Sequence, residues 1–284
     1  MLDFFVNWFA NVPVAAAPYA LAALGLIISE RSGVLNLTAE GLMLVGALAG
    51  ISAYLTLGGN PTVALLIAMI AASVVSLLFA ILVVLLRVNQ VIAGLGKLVA
   101  WPLSETPIIG RILFTQDAVI YATVVIFFLA HFTLRNTTVG LRLRAVGENP
   151  AAADAAGVNV PLYRIGAIVA GSSLVGLAGG YISVVSVKLW VTGMTGGRGW
   201  IAVALVVFAR WAPWPALAGA LLFGCIEEVV PRIAAAGIRL PQYLVLMTPY
   251  LATIAVMIWV GARQRGAIGE PGALGQPHVR EERR

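Results

Sequence analysis

The polar stretch RNTTVGLRLRAVGENPAAADAAGVNVP, residues 135–161, runs straight into LYRIGAIVAGSSLVGLAGGYISVV, residues 162–185. The second is long and apolar enough to cross a bilayer, which takes about 20 such residues as a helix. The first is too polar for hydrocarbon, where charges and unpaired amides are costly. A chain that alternates between the two is a polytopic membrane protein. Working outward, further apolar stretches fall at 12–29, 36–57, 62–86, 90–103, 118–134, 199–211, 213–230 and 240–261. The sequence therefore predicts an all-α polytopic fold of about nine transmembrane segments, within a range of about 8–10. The stretches at 90–103 and 199–211 are short for a full crossing and are expected to be broken or re-entrant.

Composition agrees. Hydrophobic residues make up 61% of the 284, about 173, close to the roughly 180 that nine crossings would use. Only 11% of the residues are charged, which excludes disorder and most soluble enzymes. One cysteine, Cys225, and two histidines, His131 and His278, exclude a disulfide framework and an ordinary multidentate metal site. The net charge of +6 is assigned to anionic headgroups rather than to nucleic acid. With the carboxyl terminus cytoplasmic, twelve of the 18 basic residues fall inside and five, Arg111, Lys188, Arg198, Arg232 and Arg239, fall outside. That bias favours an external amino terminus. No basic region precedes the first apolar run, so the start is read as mature protein, with Phe4, Phe5, Trp8 and Phe9 at the headgroup level and Pro13 and Pro18 near the beginning of the first span.

Within 135–161, Asn149 is placed to cap a helix whose first position is Pro150, the Ala-rich run to Ala156 favours helix, and Gly157 suits the residue after its end. So short a helix is marginal in water and is expected to rest on something larger. It suits docking in a groove on a cytoplasmic motor; the alternative is a topology-setting loop that Arg142 and Arg144 anchor to headgroups. The chain lacks a phosphate loop of its own, because Val91 stands where the first glycine should be and no hydroxyl follows Lys97.

In ERSGVLNLTAEG, residues 30–41, Asn36 is expected to cap the next helix with Glu40 about one turn in, either as a satisfied helix-start carboxylate or as part of a transport path. In TGMTGGRGW, residues 192–200, the glycines can break a helix and expose backbone inside the protein. This puts Thr195, Gly196, Gly197 and Arg198 near a translocation path; the alternative is an outer loop from which Arg198 snorkels. Gly46 with Gly50, and Gly176 with Gly180, form small-residue faces for helix packing, which Gly171 and Gly179 extend. Trp190, Trp200, Trp211 and Trp214 are read as an interfacial belt, and Glu227, Glu228, Arg232 and Arg239 as an outer loop. Residues 1–265 form a single transmembrane domain in this reading, and the Gly- and Pro-rich tail at 266–284 is expected to be disordered and cytoplasmic.

Four stretches carry a resemblance: ERSGVLNLTAEGLMLVGA at 30–47, RVNQVIAGLG at 87–96, GLRLRAVGENPAAADAAGVNV at 140–160 and GMTGGRGWIAVALVVFARWAPWPALAGALLFG at 193–224. Together they resemble the permeases of bacterial ABC importers for nucleosides and simple sugars, the branch that works with basic membrane protein type binding lipoproteins and is related to ribose permeases. The resemblance implies a multi-pass protein of the bacterial inner membrane, paired with a second, homologous permease and fed by an extracytoplasmic substrate-binding lipoprotein. Cytoplasmic ABC ATPase subunits would hold the ATP and Mg2+, with no cofactor on this chain. It also implies that Glu148, Asn149, Pro150, Asp154 and Gly157 belong to the helix that meets the ATPase, flanked by Arg142 and Arg144. After Gly96 the sequence departs from many relatives, with Lys97, Trp101 and Pro102 in place of a longer apolar span. The competing class is an ion-coupled secondary transporter, for which Glu40 is the one carboxylate near a span interior. An intramembrane enzyme lacks a catalytic motif here.

Overall fold

The computed structural model describes residues 2–36, 38–80, 118–235 and 269–276, together with positions 247, 251, 254 and 258. The described residues form α1 (Leu2–Glu30), α2 (Ala39–Thr56), α3 (Pro61–Ala80), α4 (Ala118–Asn136), α5 (Thr138–Glu148), α6 (Pro150–Ala155), α7 (Val160–Gly180), α8 (Arg198–Phe208) and α9 (Pro213–Ala235). A π-helical turn, Tyr181–Ser186, continues α7. Among the described residues, four helices are long and apolar enough to cross a membrane, over Phe5–Glu30, Ala39–Thr56, Val119–Asn136 and Val160–Ser186, while Pro61–Leu77 and Arg198–Phe208 are shorter apolar helices. The expected span at 90–103 and most of that at 240–261 lie outside the described residues. Met247, Leu251, Ile254 and Ile258 are helical, exposed and spaced as one helix face.

Helix α1 is central, packed along α7 and α9 and touching α4 and α8, while α2 and α3 cover the other flank of α7. Leu21, Leu24, Leu26 and Ile27 on α1 are fully buried, whereas Ile70, Val74, Phe128 and Leu129 face outward. Such an apolar exterior fits hydrocarbon as solvent. The first helix differs from its expected beginning: it starts at Leu2, so Pro13 and Pro18 lie in its interior. Each removes one backbone bond, a loss that packing against neighbouring helices offsets inside a membrane.

Several glycines stand where helices approach closely, both within the expected pairs and beside them. A Cβ on Gly171 would fall inside the Gly25 carbonyl oxygen, and a Cβ on Gly25 inside that of Gly171. On the same helix, a Cβ on Gly179 would lie 2.5 Å from the Met43 carbonyl oxygen. Gly176 abuts Ala72, Gly50 sits against Ala68 and Val184, and Gly46 and Gly180 are buried. Gly171→Leu forces α1 and α7 apart, an overpacking cost of about 3 kcal/mol or more where backbone must move. The expected result is loss of monodisperse protein after detergent extraction; a normal elution profile would show that the two helices tolerate separation.

Three segments differ from the sequence reading. Residues 138–148 are helical, started by Thr137, whose hydroxyl accepts the Gly140 amide at 3.2 Å. Glu227, Glu228 and Arg232 lie within α9 rather than in an outer loop, because the apolar run from Pro213 carries the helix past them; Arg239 lies outside the described residues. Residues 269–276 of the expected disordered tail are packed, with Pro271 and Ala273 buried against the body.

Candidate functional site

The short helix α8 begins where the glycine-rich stretch ends. Gly193, Gly196 and Gly197 all have positive φ, and Gly197, at φ +81°, occupies the cap position with no side chain to satisfy the helix's first amides. Glu40 supplies that cap from another helix. One carboxylate oxygen accepts Thr195 Oγ1 at 2.5 Å and the Gly197 amide at 2.9 Å; the other accepts the Gly199 amide at 2.7 Å. An anion at a helix amino terminus meets unpaired N–H groups and the positive end of the helix dipole. Glu40 is therefore a satisfied carboxylate, but the helix start it satisfies is α8, not its own α2; Thr38, not the expected Asn36, stands at the cap of α2, and Asn36 Oδ1 accepts the Thr38 amide at 3.1 Å. Gly199 permits the arrangement, since a Cβ there would overlap the Glu40 backbone.

Arg198 is bonded within the protein. Its Nη1 donates to the Met194 and Thr195 carbonyls at 3.0 and 3.3 Å, and its Nη2 pairs with Glu227 Oε1. The other Glu227 oxygen accepts the hydroxyl of buried Tyr19 at 2.8 Å. Four helices, α1, α2, α8 and α9, thus converge on one polar cluster in an apolar protein. Sequence reasoning brought Glu40 and residues 195–198 into view, missed Tyr19, and assigned Glu227 to an outer loop instead of this cluster. The available signal was an unpaired acid within the apolar run that starts at Pro213.

A second polar cluster lies at the end of α1. Trp211 is buried, contrary to its reading as an interfacial residue, and its indole donates to Glu30 Oε2 at 2.7 Å. Arg31 Nε donates to the Trp211 carbonyl at 3.0 Å, and the Asn36 side chain donates to Ser29 Oγ at 3.0 Å. From Tyr19 to Glu30 on α1, and along α8 on its partner helix, the rise is in both cases roughly 16 Å. The Glu40–Arg198–Glu227 cluster and the Glu30–Trp211 pair are therefore separated by about that length along the helices. Trp211→Phe removes the indole donor from a buried carboxylate, a cost of about 1–3 kcal/mol. Thermal unfolding in detergent should shift down; an unchanged midpoint would mean that Glu30 is satisfied without the indole.

At the end of α1 lies the polar segment. Asn149 caps α6 as the sequence predicts, its side chain accepting the Ala152 amide at 3.0 Å, and Gly157 follows the helix at φ +81°. The seat of α6 is Ala153, buried against Val146 and Val160. Ala151, Ala152, Ala155 and Ala156 face outward. Asp154 is half-buried and its carbonyl accepts the Gly157 amide at 2.9 Å. Arg142 is exposed, whereas Arg144 is half-buried with its Nε directed at the Gly140 carbonyl at 3.4 Å. Gly147 lies so close to the Arg31 carbonyl that a Cβ would overlap it, which seats α5 directly on the end of α1. Burial, the largest influence, lowers the Arg31 pKa from its ordinary value, while the Glu148 charge opposes that effect and Arg144 adds to it.

An apolar crevice of about 550 Å³ between α1, α4, α5 and α7 is lined by residues such as Ile28, Leu134, Leu143 and Tyr163. Its lining offers little to a polar solute and suits hydrocarbon. Among the described residues, no group of three or more His, Cys, Asp or Glu side chains is placed to hold a metal ion.

The chain matches the family described as branched-chain amino acid transport system / permease component over residues 9–101 and 98–258. It is 36% identical to a putative glucose ABC transporter permease of Haloferax volcanii, an alignment covering 94% of this chain and 95% of that one. It is 33% identical to a guanosine ABC transporter permease of Bacillus subtilis over 95% of each chain, and 31% identical to a nucleoside ABC transporter permease of Lactococcus lactis over 87% of this chain and 90% of that one. No solved structure matches it. With these matches across most of its length, the chain belongs to this family of ABC-transporter permease components.

Proposed function

We propose that the chain is the transmembrane subunit of an ATP-driven importer for nucleosides, purine derivatives or simple sugars. In this reading it spans the cell membrane about nine times, with the amino terminus outside and the carboxyl terminus in the cytoplasm. It pairs with a second, homologous permease, receives solute from an extracytoplasmic binding lipoprotein, and draws force from cytoplasmic ATPases that hold ATP and Mg2+. The observation that carries the reading is the seating of α6: a capped helix with an outward alanine face, buried at Ala153 alone and joined through α5 to the end of α1. A small helix so held can be pushed as a unit, and the push arrives at α1, the helix that touches both polar clusters. Arg142, Arg144, Glu148, Asn149, Pro150, Asp154 and Gly157 then form the ATPase-coupling segment. Glu40, Thr195, Gly196, Gly197 and Arg198 hold α8 beside the solute path. The relatives named for glucose, guanosine and nucleosides support the solute class. An ion-coupled mechanism is less well supported, because the oxygens of Glu40 are taken up by α8.

The test is uptake of radiolabelled guanosine, adenosine and glucose into proteoliposomes holding this chain with its sister permease, ATPase and binding protein. Uptake of at least one that needs both ATP and the partners supports the reading. Uptake by this chain alone, driven by an ion gradient, overturns it.

A further inference from the structure

The Gly- and Pro-rich segment near the carboxyl terminus has the composition of a solvated tail, yet it is stitched to the body by its backbone. The Gly272 amide donates to Glu148 Oε2 at 3.2 Å, the Ala273 amide to the Gly147 carbonyl at 2.9 Å, and the Gly275 amide to the Gly33 carbonyl at 3.2 Å. In return, the Gln276 carbonyl accepts Arg164 Nη1 at 3.1 Å. Two internal bonds, Leu274 N to Pro271 O at 3.0 Å and Gln276 N to Ala273 O at 3.1 Å, fold the segment into consecutive turns. Ala273 is only 3% exposed, and Leu274 packs on the main core.

The positions it joins are not arbitrary. Glu148 ends α5, Pro150 begins α6, and the bonds from Gly272 and Ala273 land on that joint. Gly33 is the point where the elements meet: a Cβ there would find Arg164 Nη2 at 3.1 Å, Gly147 Cα at 3.3 Å and the Ala273 carbonyl oxygen at 3.4 Å. Arg164, in the first turns of α7, is 5% exposed, and its Nε and Nη2 have no partner among the described residues. The carbonyl of Gln276 therefore meets a buried charge that is otherwise poorly satisfied, a situation in which a single charge-assisted bond is strongly held.

We propose that Pro271–Gln276 is a positioning strap of the coupling apparatus: it locks the α5–α6 joint to the ends of α1 and α7, so that displacement of α6 moves those helices instead of flexing the joint. The proposal rests on the coupling role given to α6 above. Without the strap, the joint is held to the body by Gly147 against Arg31 and by the seat of Ala153. With it, three chain segments distant in sequence move together.

Two truncations and one substitution test the strap. Removal of residues 277–284 leaves it whole and should change nothing. Removal of residues 269–284 should raise amide hydrogen exchange across 147–156 at least tenfold in the detergent-solubilised chain, with the buried middles of α1 and α7 unaffected. In proteoliposomes with the partner subunits, the same truncation should keep ATP hydrolysis but lower solute moved per ATP at least tenfold. Ala273→Trp, which cannot fit the seat, should do the same at full length and decides the matter if the longer truncation fails to accumulate. Unchanged exchange at 147–156 in both variants overturns the strap, as does an unchanged solute-to-ATP ratio alongside raised exchange. The exchange measurement needs no ATPase, so a wild-type complex that shows no ATP-driven uptake counts against the functional reading and leaves the strap to be judged on exchange.

Discussion

Glu40→Ala is expected to be among the most damaging single substitutions in the chain. It strips the acceptor from Thr195 Oγ1 and from the Gly197 and Gly199 amides at once. Hydrogen bonds to a charged group contribute about 1.5–3 kcal/mol each, and donors left unmet in this partly buried site add up to about 1–3 kcal/mol of desolvation cost. Losing three is of order 5 kcal/mol, comparable with the whole stability of many domains. Glu40→Gln should fall between wild type and alanine, because one amide oxygen still accepts while the NH2 faces donors. The unfolding midpoint in detergent should follow the order Glu, Gln, Ala, and uptake should be lost in the alanine variant. Equal midpoints for all three would show that α8 does not depend on this cap.

The second large effect should come from Ala153→Asp, with the opposite signature. A carboxylate set among Val146, Val160 and Tyr163 is unpaired and costs several kcal/mol, but the helix it unseats is only six residues long. The transmembrane body therefore stays folded while α6 detaches. Membrane abundance and detergent stability should stay near wild type, and ATP-driven uptake should fall at least a hundredfold. Ala153→Ser, a smaller intrusion, should retain most of it. Normal transport by Ala153→Asp would mean that the seat of α6 plays no part in coupling.

What was legible in the sequence follows from how local each signal is. The cap at Asn149, the proline at position 150 and the glycine at 157 act within one turn of each other, and α6 forms where they indicate. Apolar runs likewise mark α2, α4 and α7 to within a few residues. The cap of α8 was only half legible. Residues 192–200 announce a broken helix, but the acceptor for its amides comes from Glu40, more than 150 positions away, and no local pattern links the two. Trp211 illustrates the same limit: a tryptophan near a span end reads as interfacial until Glu30 is found waiting for its indole. The strap was hidden for a different reason. Its bonds are made by backbone amides and carbonyls, which every sequence possesses, so its composition of glycine and proline reports only flexibility. Helix α5 was missed because Gly140 and Gly147, poor helix formers, are present for close approach to Thr133, Leu134 and Arg31 rather than for helix propensity.

The central claim is that α6 faces the cytoplasm and takes force from an ATPase. A single cysteine at the exposed position of Ala152, in a Cys225→Ser background, tests it in intact cells and in isolated complex. The account requires protection of that cysteine from an impermeant maleimide added outside the cells, and a zero-length or short crosslink to the ATPase subunit in membranes. Labelling from outside, or the absence of any crosslink to the ATPase in a complex that transports, would contradict it.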